Sequence, residues 1–269
     1  MIRLPDRPLP QAALQKLASY QQEIDALPDY AERVERAKTS WKSHNRKGNA
    51  AFDTVKTTLT AMCCGARRCV YCEDSAAGEV EHIRPKDLYP DAAFLWSNYL
   101  YACGPCNGPK NSQFAVFATG TGVLTEVSRH KDEEVVPPAA GNPVLLDPRA
   151  ENPCDILTLD LQDTFYFVPL ARRGTVEYER ADYTIRVLGL NARDYLPIAR
   201  REAYNDYKAH LTQYRALRDQ GEPPERLARL VETLRRRQHP TVWFEMKRQH
   251  DKLPELSDLF RAVPDALDW

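Results

Sequence analysis

"VEHIRPKDLYPDAAFLWSNYLYACGPCNGPKN" runs from Val80 to Asn111. It sets Glu81 beside His82, then Asn98, then the pair Cys103 and Cys106, then Asn107 and Lys110. A second pair, Cys69 and Cys72, stands just upstream in "CVYCE". An acid next to a histidine is common by chance, and so is a Cys-x-x-Cys. Their joint appearance in one short stretch asks for one explanation.

The cysteines come first. The chain holds seven of them. Its start, "MIRLPDRPLPQ", has no apolar core of the kind a secretory signal needs. No apolar run reaches the roughly 18–20 residues that span a bilayer. A cytoplasmic location is therefore expected, where thiols stay reduced and disulfides are rare. Two thiolates spaced Cys-x-x-Cys bend around one ion, and two such pairs complete a tetrahedral zinc site. Thirty residues separate Cys72 from Cys103, somewhat more than in the shortest zinc ribbons. A redox role fits less well, because neither pair opens a helix after a βαβ strand. Four cysteines close the coordination shell, so Zn²⁺ on Cys69, Cys72, Cys103 and Cys106 would hold structure and do no chemistry. Cys63, Cys64 and Cys154 read as small buried hydrophobes.

The bracketed segment carries the chemistry. "GEVEHI" reads as a short strand opening at Gly78 and ended by Pro85. Neighbours on a strand point to opposite faces. One of Glu81 and His82 can then hold a metal while the other approaches a substrate. Taken alone, a histidine at the end of an apolar strand is more often structural. Pro85, Pro90 and Pro105 favour a loop-rich, cross-linked unit, and "NGPKNSQFAVF" can begin a helix or a turn.

This pattern resembles the HNH nuclease family. The resemblance rests on "CVYCE" at 69–73, "VEHIRPK" at 80–86, "WSNYLYAC" at 96–103 and "CNGPK" at 106–110. It implies a ββα-metal core of two strands, a loop and a helix. It implies that His82 is the general base and that Glu81 and Asn107 hold one divalent cation, Mg²⁺ or Mn²⁺, which oxygen ligands suit. Asn98 falls on the central asparagine, which braces the loop carrying the base. Lys110 is a candidate for touching phosphate. Glu81 stands where Asp or His is common, and Asn107 where the last histidine often stands. A third protein ligand is open, with His44 and His130 the histidines near in sequence.

Working outward, residues 10–62 read as helical. Tyr30, Val34, Ala37 and Trp41 form one apolar stripe, and Phe52, Val55, Leu59 and Met62 another. "SHNRKGN" at 43–49 is a loop rich in breakers and positive charge. After the cysteines, "PVLLDP", "DILTLDL" and "TFYFVPL" read as short strands. From Lys131 to Asp163 there are eight acidic and two basic residues, a poor surface for phosphate. "DYTIRVLGLN" reads as a helix starting at Asp182 and stopping at Gly189, with further helices over 194–219 and 223–238. Arg200 to Arg248 holds twelve Lys/Arg against seven Asp/Glu, and "RRRQH" at 235–239 is its densest positive spot. Such a run is usually a solvated helix face.

The expected fold is α+β: a mainly helical chain carrying a zinc-stapled ββα-metal core, with a few short strands after it. Three regions are expected, a helical 1–62, the core at 63–118, and a strand-then-helix 119–269. Net charge is −1, so overall charge points to no nucleic-acid partner and any positive surface must be local.

"LLDPRAENP", "YTIRVLGLN" and "ARREAY" extend the resemblance to HNH proteins of prokaryotic anti-phage systems, the Septu-type nuclease subunits and their retron-associated relatives. That implies an endonuclease acting on nucleic acid, foremost DNA, beside an ABC/SMC-type ATPase partner. The main alternative is a non-catalytic zinc-stabilised nucleic-acid-binding or adaptor module. Such a module needs the four cysteines but has no use for Glu81, His82, Asn98 and Asn107 together. A standalone toxin- or homing-type nuclease would be expected to carry a strongly basic domain, which the net charge disfavours.

Overall fold

A computed structural model describes residues 1–130 and 132–269. The N-terminal stripes fold as three helices, α1 (Gln11–Asp25), α2 (Tyr30–His44) and α3 (Ala50–Thr60). The Asp29 carboxylate accepts the amides of Ala31 and Glu32, and the Asn49 side chain those of Ala51 and Phe52. These caps satisfy orphan N–H groups and set where α2 and α3 begin. Phe52, Val55 and Leu59 of α3 pack on Leu17, Tyr20 and Ile24 of α1, with Trp41 of α2 partly buried against them.

Strand β1 (Glu79–His82) pairs antiparallel with β2 (Tyr99–Ala102), Glu81 opposite Leu100 and His82 opposite Tyr99. Alternation divides this hairpin between two cores. Val80, Tyr99 and Tyr101 join the core of α1 and α3. Leu100 and Ala102 join a second core that holds the four paired cysteines and the C-terminal helices. Helix α4 (Gly104–Lys110) follows β2 directly.

Beyond it lie a three-stranded sheet, β3 (Phe114–Ala118) between β4 (Leu124–Val127) and β5 (Gly141–Pro143), and a hairpin of β6 (Leu157–Leu159) and β7 (Phe167–Pro169). Then come α5 (Val176–Val187), α6 (Tyr195–Asp219), α7 (Pro224–Arg235), α8 (Pro240–Arg248) and α9 (Pro254–Ala262). The protein is mixed helix and small sheets. No helix among the described residues is long and apolar enough to cross a membrane.

Several elements differ from the sequence reading. "FAVF" is strand β3, because α4 closes at Lys110 and Asn111, at φ +38°, turns the chain back. Only the edge of "PVLLDP" is strand: the Leu146 amide bonds the Thr184 hydroxyl at 3.1 Å instead of a ladder partner. Helix α5 starts ahead of Asp182, because the Thr175 hydroxyl accepts the Tyr178 amide and caps it there. Gly189 at φ +57° supplies the expected stop.

Candidate functional site

Cys69 and Cys72 sit on a tight knuckle, where the Glu73 amide bonds the Cys69 carbonyl at 2.8 Å and Glu73 takes φ +62°. Cys103 stands immediately before α4, and Cys106 lies in its first turn. The hairpin brings the two pairs together. All four thiols are buried, and their sulfurs lie within 4.8 Å of one another. Cys72 and Cys103 sulfurs are 3.8 Å apart, far beyond a disulfide bond. Zn–S bonds of about 2.3 Å in a tetrahedron require sulfurs about 3.8 Å apart, so the donor set fits such an ion. Hydrogen bonds from the other three thiols hold the Cys72 thiol far below its ordinary range. Arg193, between α5 and α6, donates to the Cys106 sulfur at 3.1 Å and ties the C-terminal half to the cluster. Cys154 is buried as expected, whereas Cys63 and Cys64 are only half-buried.

The end of β1 carries Glu81 and His82 on opposite faces. His82 turns toward α2, with the Trp41 ring centroid 4.1 Å and that of Tyr99 5.3 Å away, both edge-on. Its Nε2 lies 2.9 Å from the Ala93 carbonyl oxygen. A carbonyl only accepts, so Nε2 carries the hydrogen and the lone pair of the neutral ring sits on Nδ1. Burial pushes the His82 pKa down to about 3, against the pull of that carbonyl. The ring is therefore neutral at cellular pH.

Ala93 is itself fixed. The Tyr99 hydroxyl donates to the same carbonyl at 2.8 Å, and Gln21 of α1 accepts the Phe94 amide at 2.8 Å and donates to the Pro90 carbonyl at 3.0 Å. Asn98 is buried, and its amide accepts from Arg84 N at 2.8 Å and donates to the carbonyls of Arg84 at 3.0 Å and Ala92 at 2.9 Å. Three bonds from one side chain thus join both ends of the loop 83–98. Asn98→Ala strands those groups, at about 1–3 kcal/mol for an unsatisfied buried partner. A stability loss of that size is expected by urea denaturation. A change of under about 0.5 kcal/mol, the range of an ordinary surface substitution, would show the brace to be dispensable.

Glu81 faces α4. The ammonium of Lys110 lies against its Oε1 and donates to the His82 carbonyl at 2.8 Å. Lys110 is fully enclosed, at 0% exposure. The side chain expected on phosphate is thus turned into the protein, ion-paired with the candidate metal ligand. Burial pushes the Glu81 carboxyl up, with Lys110 opposing. The Lys110 ammonium takes up Oε1, so a cation at Glu81 would draw on the remaining lone pairs of the carboxylate. Asn107 donates from Nδ2 to Glu79 Oε2 at 2.7 Å, which leaves its Oδ1 as the remaining acceptor.

Glu81, His82 and Asn107 line one cleft of about 210 Å³, together with Trp41, Lys86, Asp87 and Ser112. Asn98 and Lys110 support it from behind. Neither His44 nor His130 lines it. His44 stacks on Tyr20 at 3.7 Å, and His130 lines a neighbouring groove. Sequence reasoning missed Gln21, Trp41, Tyr99 and Arg193. Trp41 was legible only as one more apolar position on a helical stripe.

Part of the C-terminal basic run is paired within itself. Arg226 pairs with Glu222 at 2.6 Å, Arg236 with Glu232 at 2.6 Å, Arg237 with Asp206, and Arg248 with Glu245. No residue of α6–α9 lines the cleft.

No family profile matches the chain. Over 72 residues it is 36% identical to the Septu protein PtuB of Bacillus thuringiensis. That alignment covers 25% of this chain and 28% of the relative.

Proposed function

We propose that this chain is a metal-dependent HNH-type endonuclease that hydrolyses phosphodiester bonds, foremost of DNA, in an anti-phage defence system of the Septu type. The observation that carries the reading is the state of His82. Its Nε2–H is committed to the Ala93 carbonyl, and the ring lines a cleft shared with two oxygen-donor side chains. The partial likeness to the Septu protein PtuB supports the defence assignment.

In this reading, His82 Nδ1 takes the proton from the attacking water. The resulting imidazolium keeps its Nε2–H bond to Ala93, a fixed dipole that needs no reorganisation. Asn98, Gln21 and Tyr99 hold that dipole in place. Glu81 and Asn107 would hold Mg²⁺ or Mn²⁺. Such an ion, when bound, neutralises the scissile phosphate and the departing oxygen. Lys110 acts from inside, fixing the Glu81 carboxylate and the end of β1. Zinc on the four cysteines clamps both ends of a unit too small to hold a core of its own.

Cleavage of plasmid DNA by the purified chain, titrated with Mg²⁺ and Mn²⁺, tests the proposal. Asn107→Ala is the cleaner variant, since Asn107 is half-exposed, whereas Glu81 substitutions leave Lys110 without its partner. It is expected to raise the metal concentration for half-activity by about 10- to 100-fold, the cost known for even outer-shell metal partners. Full cleavage in excess EDTA would remove the oxygen-ligand site.

An ABC/SMC-type ATPase is proposed as partner, on the Septu-type resemblance. Helix α6 leaves Tyr195 and Ile198 exposed on its first turns. Co-expression with the neighbouring gene and size-exclusion chromatography would show co-elution.

A further inference from the structure

The sequence from Lys38 to Asn49 contains Lys38, Lys42, Arg46 and Lys47 and no acidic residue. It is a sharply positive stretch in a chain of net charge −1. All four side chains are exposed. Lys38 pairs loosely with Glu35 at 3.6 Å, and among the described residues Lys42, Arg46 and Lys47 have no ion-pair partner. In the larger C-terminal run, by contrast, Arg226, Arg236, Arg237 and Arg248 are each paired with a carboxylate of the same run.

The place of this stretch matters more than its charge. It forms the last turns of α2 and the loop after it. Trp41 lies among these residues and is the member of α2 that lines the cleft with His82. One turn earlier, Lys38 and Val34 line a second groove, of about 410 Å³. Asp87 and Ser112 line both the cleft and this groove, and α2 contributes to each. Trp41 also touches Phe52 and Tyr99, at centroid distances of 5.1 and 5.4 Å. Packing alone would explain a fully buried indole. This one is partly exposed, and its open part faces the cleft.

Resting on the nuclease reading above, we infer that the second half of α2 and its loop form the substrate wall of the site. Trp41 stacks on a base beside the scissile phosphate, and Lys38, Lys42, Arg46 and Lys47 track the phosphates of the same strand. Residues three and four apart share a helix face, so Lys38, Trp41 and Lys42 present together. Aromatic stacking with a charged flank is how strands are held without sequence readout.

The test is fluorescence anisotropy of short labelled DNA, single-stranded and duplex, on the full chain carrying His82→Ala to stop cleavage. The triple change Lys42→Glu, Arg46→Glu, Lys47→Glu is expected to abolish binding at moderate salt. With alanines instead, the slope of log K against log salt is expected to fall by about 2 to 3. Trp41→Leu keeps apolar bulk against Phe52 and is expected to weaken binding by about 5- to 150-fold, with Trp41→Phe restoring most of it. If the parent binds DNA and both the triple alanine variant and Trp41→Leu bind equally well with unchanged salt slope, the wall lies elsewhere. Cleavage by the otherwise wild-type chain is measured in parallel. Absence of cleavage and binding by the parent, alone or with its co-expressed partner, would instead overturn the nuclease reading.

Discussion

His82→Ala is expected to cut DNA about 10²–10⁴-fold more slowly than the wild type, the usual cost of losing a general base. The expectation rests on one nitrogen. Nε2 is held by the Ala93 carbonyl, so Nδ1 is the free base, and no other histidine lines the cleft. Binding should be almost unchanged, because the phosphates are proposed to meet α2 and the metal. The substitution leaves space between Trp41 and Tyr99. His82→Asn, which fills more of it, guards against reading a collapsed site as a lost base. Both variants should match the wild type in near-UV circular dichroism. Cleavage at the wild-type rate by a folded His82→Ala protein would end the HNH assignment and leave the zinc-stabilised binding module.

Cys69→Ser and Cys106→Ser are each expected to lose the structural metal and with it the fold of residues 65–115. The purified wild type should contain one Zn²⁺ per chain. In small domains such sites contribute on the order of 10–16 kcal/mol of apparent binding free energy, more than the whole stability of many domains. The cluster lies in the larger core, beside Val70, Tyr71, Leu100 and Ala102. Arg193 donates to Cys106 from the C-terminal half, so damage should spread to the seating of α6. Metal analysis and limited proteolysis read the two parts separately. A folded wild-type preparation without zinc would refute the site, and a serine variant that keeps both metal and protease resistance would refute the four-cysteine clamp.

The sequence by itself determined what short-range chemistry sets. Apolar steps of three and four placed α2 and α3, and the Asp29 and Asn49 caps set where they begin. The spacing within 69–110 was enough to pair the cysteines, while Glu81, His82, Asn98 and Asn107 were singled out by the resemblance to the HNH pattern. Strand β3 was hidden, because its run is short and its ladder partners come from β4 and β5. Tertiary structure alone decided which nitrogen of His82 is free, since Ala93 lies eleven positions away across a loop. It turned Lys110 inward onto Glu81, twenty-nine residues from it in sequence, where the family resemblance made it a candidate for touching phosphate. It also recruited Gln21 to Phe94, 73 positions apart, and Arg193 to Cys106, 87 apart. The physical reason is the same in each case. Periodicity, caps and metal-ligand spacing act over a few residues and leave a signature in the order of the chain. A hydrogen bond between distant segments depends on how two cores meet at one hairpin, and single residues such as Gln21 and Arg193 carry no local mark of that meeting.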